Sequence, residues 1–274
     1  MSNIIFGNGF IGNILNNKLD DYELSDLNPL FYGTLCKALD VHKPEVIINC
    51  IGKTGRPNID WCENNKEDTI LSNIAVPSIL ASECSKRGIY FVHMGSGCIY
   101  SDRDGENNFS EDDEPNFYKY QTYARTKILA EKIVKNVPSL QVRIRMPICS
   151  YPHDRNLITK LSKYEKVIDI KNSMTVIEDF LPVFKTLVDN RATGIYNVVN
   201  EGAISAYEIM KLYAEIVDLS YRVSLLSKEE LNRITVGERS NCIILSEKIK
   251  KYGISMPNIR ESIEKVLYEY KENL

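Results

Sequence analysis

The chain of 274 residues has three histidines and one tryptophan, and its seven cysteines, at 36, 50, 62, 84, 98, 149 and 242, form no C-x-x-C pair. No histidine stands at zinc spacing from them, which speaks against a structural zinc site, and an odd, scattered set of thiols does not make a disulfide framework. No run of five basic residues occurs and the formal net charge is -3, so neither nucleic acid nor an anionic membrane is an expected partner. No apolar stretch is long enough to cross a bilayer, and the N-terminus enters a strand without a signal-peptide core. Internal repeats and low-complexity tracts are missing too. These absences predict a reduced, cytoplasmic setting.

What is present is ordinary in amount and regular in order. With 43% hydrophobic and 26% charged residues, the chain can bury a full core and carry a second lobe. Short β-branched runs, "NIIF" (3–6), "EVIINCI" (45–51), "IYFVHM" (89–94), "LQVRIRM" (140–146), "KVIDI" (166–170) and "GIYNVVN" (194–200), alternate with helical patterns such as 122–137 and 205–217. Strands buried on both faces, separated by helices, predict an α/β fold with a doubly wound parallel sheet. The polar segment 101–121 reads as a surface loop, and the strands shorten beyond residue 150. The expected division is therefore 1–150, with returning segments from about 170–200, and 151–274 as a smaller lobe.

The first strand runs into "GNGFIG", in which Gly7, Gly9 and Gly12 surround Phe10 and Ile11. Glycines at a strand-to-helix turn permit close backbone approach, and a helix N-terminus attracts a pyrophosphate, so this stretch is a candidate dinucleotide cradle. Asp26, near the end of the second strand, is a candidate acceptor for a ribose hydroxyl or a plain turn residue. No Arg or Lys adjoins it to receive a 2′-phosphate, which leaves NADPH and NADH both open.

A hydroxyl and a thiol, Ser96 and Cys98, stand two apart where the 89–94 run stops. On extended backbone they would point the same way. Tyr123 and Lys127 follow, four apart and so on one helix face, where an ammonium would favour the phenolate. "YEIMK" supplies a second such pair, Tyr207 and Lys211, with no strand-end hydroxyl before it; packing and a solvated lysine explain that copy.

Gly7-x-Gly9-x-x-Gly12, Asn73, Ser96 and Tyr123-x-x-x-Lys127 together resemble an extended short-chain dehydrogenase/reductase with a Rossmann sheet. "GRPNIDWCE", "SGCIY", "RIRMPI", "RNLITK" and "ERSN" narrow the resemblance to the bifunctional nucleotide-sugar epimerase/reductases of plants, relatives of dTDP-4-dehydrorhamnose reductase. The resemblance implies conversion of UDP-4-keto-6-deoxyglucose to UDP-L-rhamnose with NADPH or NADH, the C-terminal lobe binding a UDP- or dTDP-linked 4-keto-6-deoxyhexose; the alternatives are a dTDP-4-dehydrorhamnose reductase without epimerase activity and a non-catalytic nucleotide-binding regulatory subunit. It implies that Ser96, Tyr123 and Lys127 serve reduction and that Cys98 serves epimerisation. The second acid/base is Lys160, or His153 if the "YPHDRN" segment follows GDP-fucose synthase instead. Gly52, Asn73 and Pro147 would join the glycine turn at the cofactor, and Arg56, Asn156 and Arg239 would meet the substrate. Arg56 has an alternative partner in Asp60. A homodimer is left open. Two departures stand out: "SDLN" replaces the arginine that plant-type enzymes tend to carry after the second strand, and "CSYPHD" is shorter than the corresponding plant segment.

Overall fold

A strand buried on both faces must be apolar along its whole length, and the four runs nearest the N-terminus that meet this condition become the centre of the sheet. The structure, a computed structural model, describes residues 3–102, 107–119 and 121–274; positions 103–106 and 120 of the expected 101–121 loop lie outside the described residues. The strands are β1 (Asn3–Phe6), β2 (Tyr22–Ser25), β3 (Val46–Asn49), β4 (Tyr90–Ser96), β5 (Ser139–Ile144) and β6 (Gly194–Asn197), in the order β6-β5-β4-β3-β1-β2. Pairs β1/β2, β1/β3 and β3/β4 are parallel, with Ile4 opposite Ile47 and Asn49 opposite His93. From β1 the chain moves to one side for β2 and returns across it for β3. That reversal places the β1/β3 carboxyl ends at the topological switch point, where open α/β sheets bind ligands.

The connecting helices are α1 (Phe10–Lys18), α2 (Tyr32–His42), α3 (Val76–Arg87), α4 (Thr122–Val134) and α5 (Ile177–Asp189). A single π-helical turn, Leu71–Ala75, precedes α3, a local widening often found at functional sites. Gly88 ends α3 in the left-handed region, its N–H returning to the last turn. Buried Phe6, Leu35, Leu39, Ile47, Leu80, Phe91 and Val134 form a core between the sheet and helices α2, α3 and α4.

Two compact units divide the chain: Met1–Ile99 with Phe117–Arg143 and Leu187–Tyr196, and Tyr100–Asn116 with Ile144–Thr186 and Asn197–Leu274. This differs from a cut near residue 150. Residues 100–116 join the second unit because Tyr100 stacks on Phe109 at 4.6 Å, donates its hydroxyl to Asp113 O at 2.7 Å, and accepts from Ser240 Oγ at 2.5 Å. The returning segment is also shorter than 170–200.

In the second unit the strands shrink to pairs: Asn108–Phe109 with Ile243–Ile244, Pro147–Ile148 with Thr175–Val176, and Lys166–Val167 with Ser224–Leu225. The strand expected over 166–170 thus keeps only its first two residues and lies outside the main sheet. Helices Ala206–Ile216 and Ile259–Glu272 supply the core of this unit through Ile209, Met210, Ile263, Val266 and Leu267. A reciprocal Ser205/Glu208 capping box starts the first of them. Among the described residues, no helix is long and apolar enough to cross a membrane, and no group of His, Cys, Asp and Glu suits a metal ion.

Candidate active site

The turn after β1 is built so that only glycine fits at two of its positions. Gly7 has φ +105°, and a Cβ there would lie 2.7 Å from Ile51 N; a Cβ on Gly12 would lie 1.8 Å from Gly7 O. At Gly9 the opposite holds, since a Cβ would meet nothing within 4 Å. Gly9 is the N-cap of α1, without a side-chain cap, and the first turn carries no acidic residue. An uncapped, glycine-lined helix start at the switch point fits the pyrophosphate of a dinucleotide. Phe10 and Ile11, the first helical residues, are half-buried, and Asp26 is exposed just beyond β2.

Beyond β3 the chain is pinned from the side. Cys50 N–H donates to Phe6 O at 2.8 Å. Asn73, on the π-helical turn, accepts from Lys53 N–H at 2.7 Å and donates to Lys53 O and to Thr126 Oγ1, both at 3.1 Å. Its amide is thereby engaged at both ends, so Asn73 holds the 50–53 loop against α4. Gly52 lies in that loop, where a Cβ would be 3.4 Å from Asn73 Oδ1 and 3.9 Å from Lys127 Nζ.

Tyr123 and Lys127 sit on the buried face of α4. The Tyr123 hydroxyl donates to Ser96 Oγ at 3.2 Å, and Lys127 Nζ donates to Met94 O at 2.9 Å. Burial pushes the phenol above its usual value, with nearby Cys98 adding to the rise and the Ser96 bond opposing it. The expected lowering of Tyr123 by Lys127 is not what dominates here. Burial instead acts on Lys127, bringing its ammonium down to about 8 against the opposing charge of Glu131. His93, its ring stacked on Phe91 and bonded to Asn49 at 3.1 Å, is held well below its ordinary range by burial and by Lys127. Cys50, which no pattern in the sequence singled out, is also in this electrostatic neighbourhood: burial raises its thiol to about 12 and Lys127 opposes.

Ser96 and Cys98 are close for a different reason from strand periodicity. β4 stops at Ser96, the chain turns, and Cys98 N–H returns to Ser96 Oγ at 3.1 Å. This short hydroxyl-to-backbone turn leaves Cys98 half-buried and near enough to influence Tyr123.

The second-unit candidates have distinct surroundings. Lys160 is half-buried on the helix Leu157–Leu161; burial, helped by Arg155 and opposed by Asp154, lowers its ammonium below the usual value. His153 is exposed and its Nδ1 accepts from Arg155 N–H at 3.0 Å. Asn156, expected at the substrate, is wholly buried and committed to its own loop. Its Oδ1 accepts from Ile158 N–H at 3.1 Å, and its amide donates to Cys149 O and Tyr151 O at 2.8 Å. It therefore caps the helix that carries Lys160. Pro147 opens the strand pair with Thr175, Arg239 is half-buried and donates to Gly237 O at 2.9 Å, and Arg56, in the first unit, is exposed. The second Tyr-Lys pair behaves as expected, with Lys211 exposed and 5.8 Å from the Tyr207 ring. Cys36, on α2, donates its thiol to Glu83 Oε2 at 3.3 Å.

A glycine turn at the switch point and a Ser-Tyr-Lys cluster at the end of the neighbouring strand define a nucleotide-dependent oxidoreductase-type site. Residues 8–152, just over half of the chain, match the model of the NAD dependent epimerase/dehydratase family, and the chain belongs to that family. It is 37% identical over 234 residues to the bifunctional dTDP-4-dehydrorhamnose 3,5-epimerase/dTDP-4-dehydrorhamnose reductase of Arabidopsis thaliana, covering 83% of this chain and 77% of that one. It is 34% identical to a trifunctional UDP-glucose 4,6-dehydratase/UDP-4-keto-6-deoxy-D-glucose 3,5-epimerase/UDP-4-keto-L-rhamnose-reductase of the same plant, covering 97% of this chain but 41% of that relative. The crystal structure of the UDP-rhamnose synthase from Acanthamoeba polyphaga mimivirus superposes with a TM-score of 0.90 at 28% identity, over 98% of this chain and 99% of that one.

Proposed function

We propose that this chain is a bifunctional nucleotide-sugar 3,5-epimerase/4-reductase that converts UDP-4-keto-6-deoxy-D-glucose to UDP-L-rhamnose. The observation that carries the reading is the cluster at the end of β4: Tyr123 bonded to Ser96, Cys98 folded back on the same hydroxyl, and Lys127 buried beside them. The kinship with the plant and mimivirus proteins supports the substrate and the pairing of two activities in one chain. A bound NADPH or NADH supplies the hydride for C4 of the sugar.

In this reading Ser96 and Tyr123 hydrogen-bond the C4 carbonyl oxygen, and Tyr123 delivers a proton to it as the alkoxide develops. The phenol, raised by burial, stays protonated at neutral pH and so acts as the acid. Lys127, with an ammonium near 8, holds the cofactor ribose and returns a proton towards Tyr123. Before reduction, the 4-keto group acidifies C3 and C5. At C3 and then C5, Cys98 and Lys160 act as a pair, one removing the proton from one face and the other returning a proton on the opposite face, through an enolate whose oxygen Tyr123 stabilises. A lowered Lys160 ammonium suits a group that must both take and give a proton, which favours it over exposed His153. Gly7, Gly9, Phe10, Ile11, Gly12, Asp26, Gly52 and Pro147 line the cofactor, Arg56 and Arg239 meet the substrate phosphates or sugar, and Asn73 and Asn156 hold the loops behind them. The first unit is the cofactor-binding part and the second mainly the substrate-binding part. A cytoplasmic location and a homodimer belong to the same reading; exposed Leu129 and Ile133, one turn apart on α4, offer an apolar stripe for a second copy.

The test is to incubate the protein with UDP-4-keto-6-deoxyglucose and NADPH or NADH in deuterated water and to locate deuterium in the product by NMR. Deuterium at C3 and C5 of UDP-L-rhamnose is expected. Cofactor oxidation without exchange at either carbon would leave a reductase alone.

A further inference from the structure

The helix that carries Tyr123 and Lys127 has no cap of its own. Gln121 occupies the N-cap position of α4 without a side-chain cap bond, and the first turn contains no acidic residue. Helix starts usually supply such an acceptor because their first N–H groups have no partner within the helix. Here it comes from a distant part of the chain. Glu63 Oε1 accepts the Thr122 N–H at 2.6 Å, and Glu63 Oε2 accepts the Thr122 hydroxyl at 2.8 Å. Both oxygens of one carboxylate thus grip the residue next to Tyr123, and the negative charge suits that end of the helix dipole.

The grip is anchored at its other end. Glu63 lies in the four-residue helix Trp61–Asn64, and its neighbour Cys62 is wholly buried with Sγ 3.9 Å from Lys53 O. The same Lys53 peptide is held on both sides by Asn73, which also donates to Thr126 on α4. The contacts close a ring that touches α4 at residues 122 and 126, on either side of Tyr123. Two attachments about one turn apart fix both the rotation and the axial position of that turn. The Tyr123 hydroxyl needs both to stay 3.2 Å from Ser96 Oγ.

We propose that Glu63 is a positioning residue, whose carboxylate sets the first turn of α4 and so holds the Tyr123 hydroxyl in line with Ser96. Its effect on catalysis rests on the keto-sugar reductase reading above; the grip on Thr122 does not. Glu63→Ala removes both acceptors, whereas Glu63→Gln keeps an oxygen for the Thr122 N–H and offers an amide to its hydroxyl.

Kinetics and amide hydrogen exchange on the full-length chain test this together. Displacing a reacting group by a fraction of an ångström costs about tenfold to a hundredfold in rate, so Glu63→Ala should lose that much kcat. NADPH affinity and the KM for the keto-sugar should stay within about twofold, and Glu63→Gln should recover most of the loss. Exchange at residues 122–126 should accelerate in Glu63→Ala and return in Glu63→Gln. Wild-type exchange across 122–126 in Glu63→Ala would overturn the proposal, as would an unchanged kcat, or a loss of kcat matched by an equal loss of cofactor affinity and not rescued by Gln. A wild-type protein that leaves the keto-sugar unreduced would instead defeat the functional reading, and the exchange result would still decide whether Glu63 sets the helix start.

Discussion

The first unit satisfies its buried backbone through strands, whereas the second does so through side chains. In the six-stranded sheet, Ile5, Ile47, Ile48, Phe91 and Val92 are fully buried and their N–H and C=O groups pair along the ladder. In the second unit, paired strands are two residues long, so polar side chains take over. Thr175 Oγ1 donates to Val198 O at 2.8 Å, Asn200 Oδ1 accepts from Val176 N–H at 2.8 Å, and Ser173 Oγ accepts from Ile244 N–H at 2.9 Å. Arg145, almost wholly buried, donates to Ser240 Oγ at 3.0 Å, Ser240 O at 2.7 Å and Asn172 Oδ1. Both arrangements meet the same requirement, that a buried polar group keep a partner. They differ in what a substitution does: a ladder survives a change of side chain, and a side-chain network does not.

The sharpest way to break that contrast is to take chemistry from the first unit without taking stability. Tyr123→Phe should lower keto-sugar reduction by about 10²–10⁴-fold, followed as NADPH oxidation, with a melting temperature close to wild type. An equal loss of folding would make the first unit as dependent on its side chains as the second. Cys98→Ser should cut deuterium uptake at C3 and C5 by about 10²-fold while reduction of the already epimerised 4-keto sugar persists. A variant that still makes UDP-L-rhamnose at the wild-type rate would remove Cys98 from the mechanism.

The reverse test is Arg145→Met in the second unit. It strands the acceptors on Ser240 and Asn172 and should destabilise the chain by about 3 kcal/mol, read from the denaturation midpoint. A cost below about 1 kcal/mol would mean that water or rearranged neighbours replace the guanidinium and that the contrast between the units is shallow.

The smallest effect tests a place where the first unit buries a charge at a cost. Lys127 loses its proton near 8 when folded and near 10.5 otherwise. Below pH 8 both states are protonated and the buried ammonium is a constant burden; between 8 and 10.5 the unfolded chain binds the extra proton, so stability rises with pH. The gain is at most about 3 kcal/mol. Unfolding of wild type and Lys127→Met at pH 7.5 and 10 should show wild type gaining relative to the variant. A difference that stays constant would place the lysine in water rather than in the core.

The order of strands and helices was legible because period and apolar run length report which faces are buried, and the first-unit strands fall within a few residues of their expected limits. The Gly7, Gly9, Gly12 turn was legible because its backbone demands are local. So was the Ser96, Tyr123, Lys127 set, although the proximity of Cys98 comes from a turn rather than from strand alternation. Periodicity says nothing about partners. The "RIRMPI" and "ERSN" blocks looked like separate family marks, and the fold joins them through Arg145 and Ser240, with Asn172 held by the same guanidinium. By itself, then, the sequence determined the layer order, the helix start suited to a dinucleotide and the set of side chains proposed as reactive, each read from neighbouring residues. Only the tertiary structure decided that Asn73 and Asn156 support loops and that Glu63 caps the helix of Tyr123. It alone also moved the tyrosine up and the lysine down, because a hydrogen-bond partner 59 positions away and the loss of surrounding water exist only once the chain has folded.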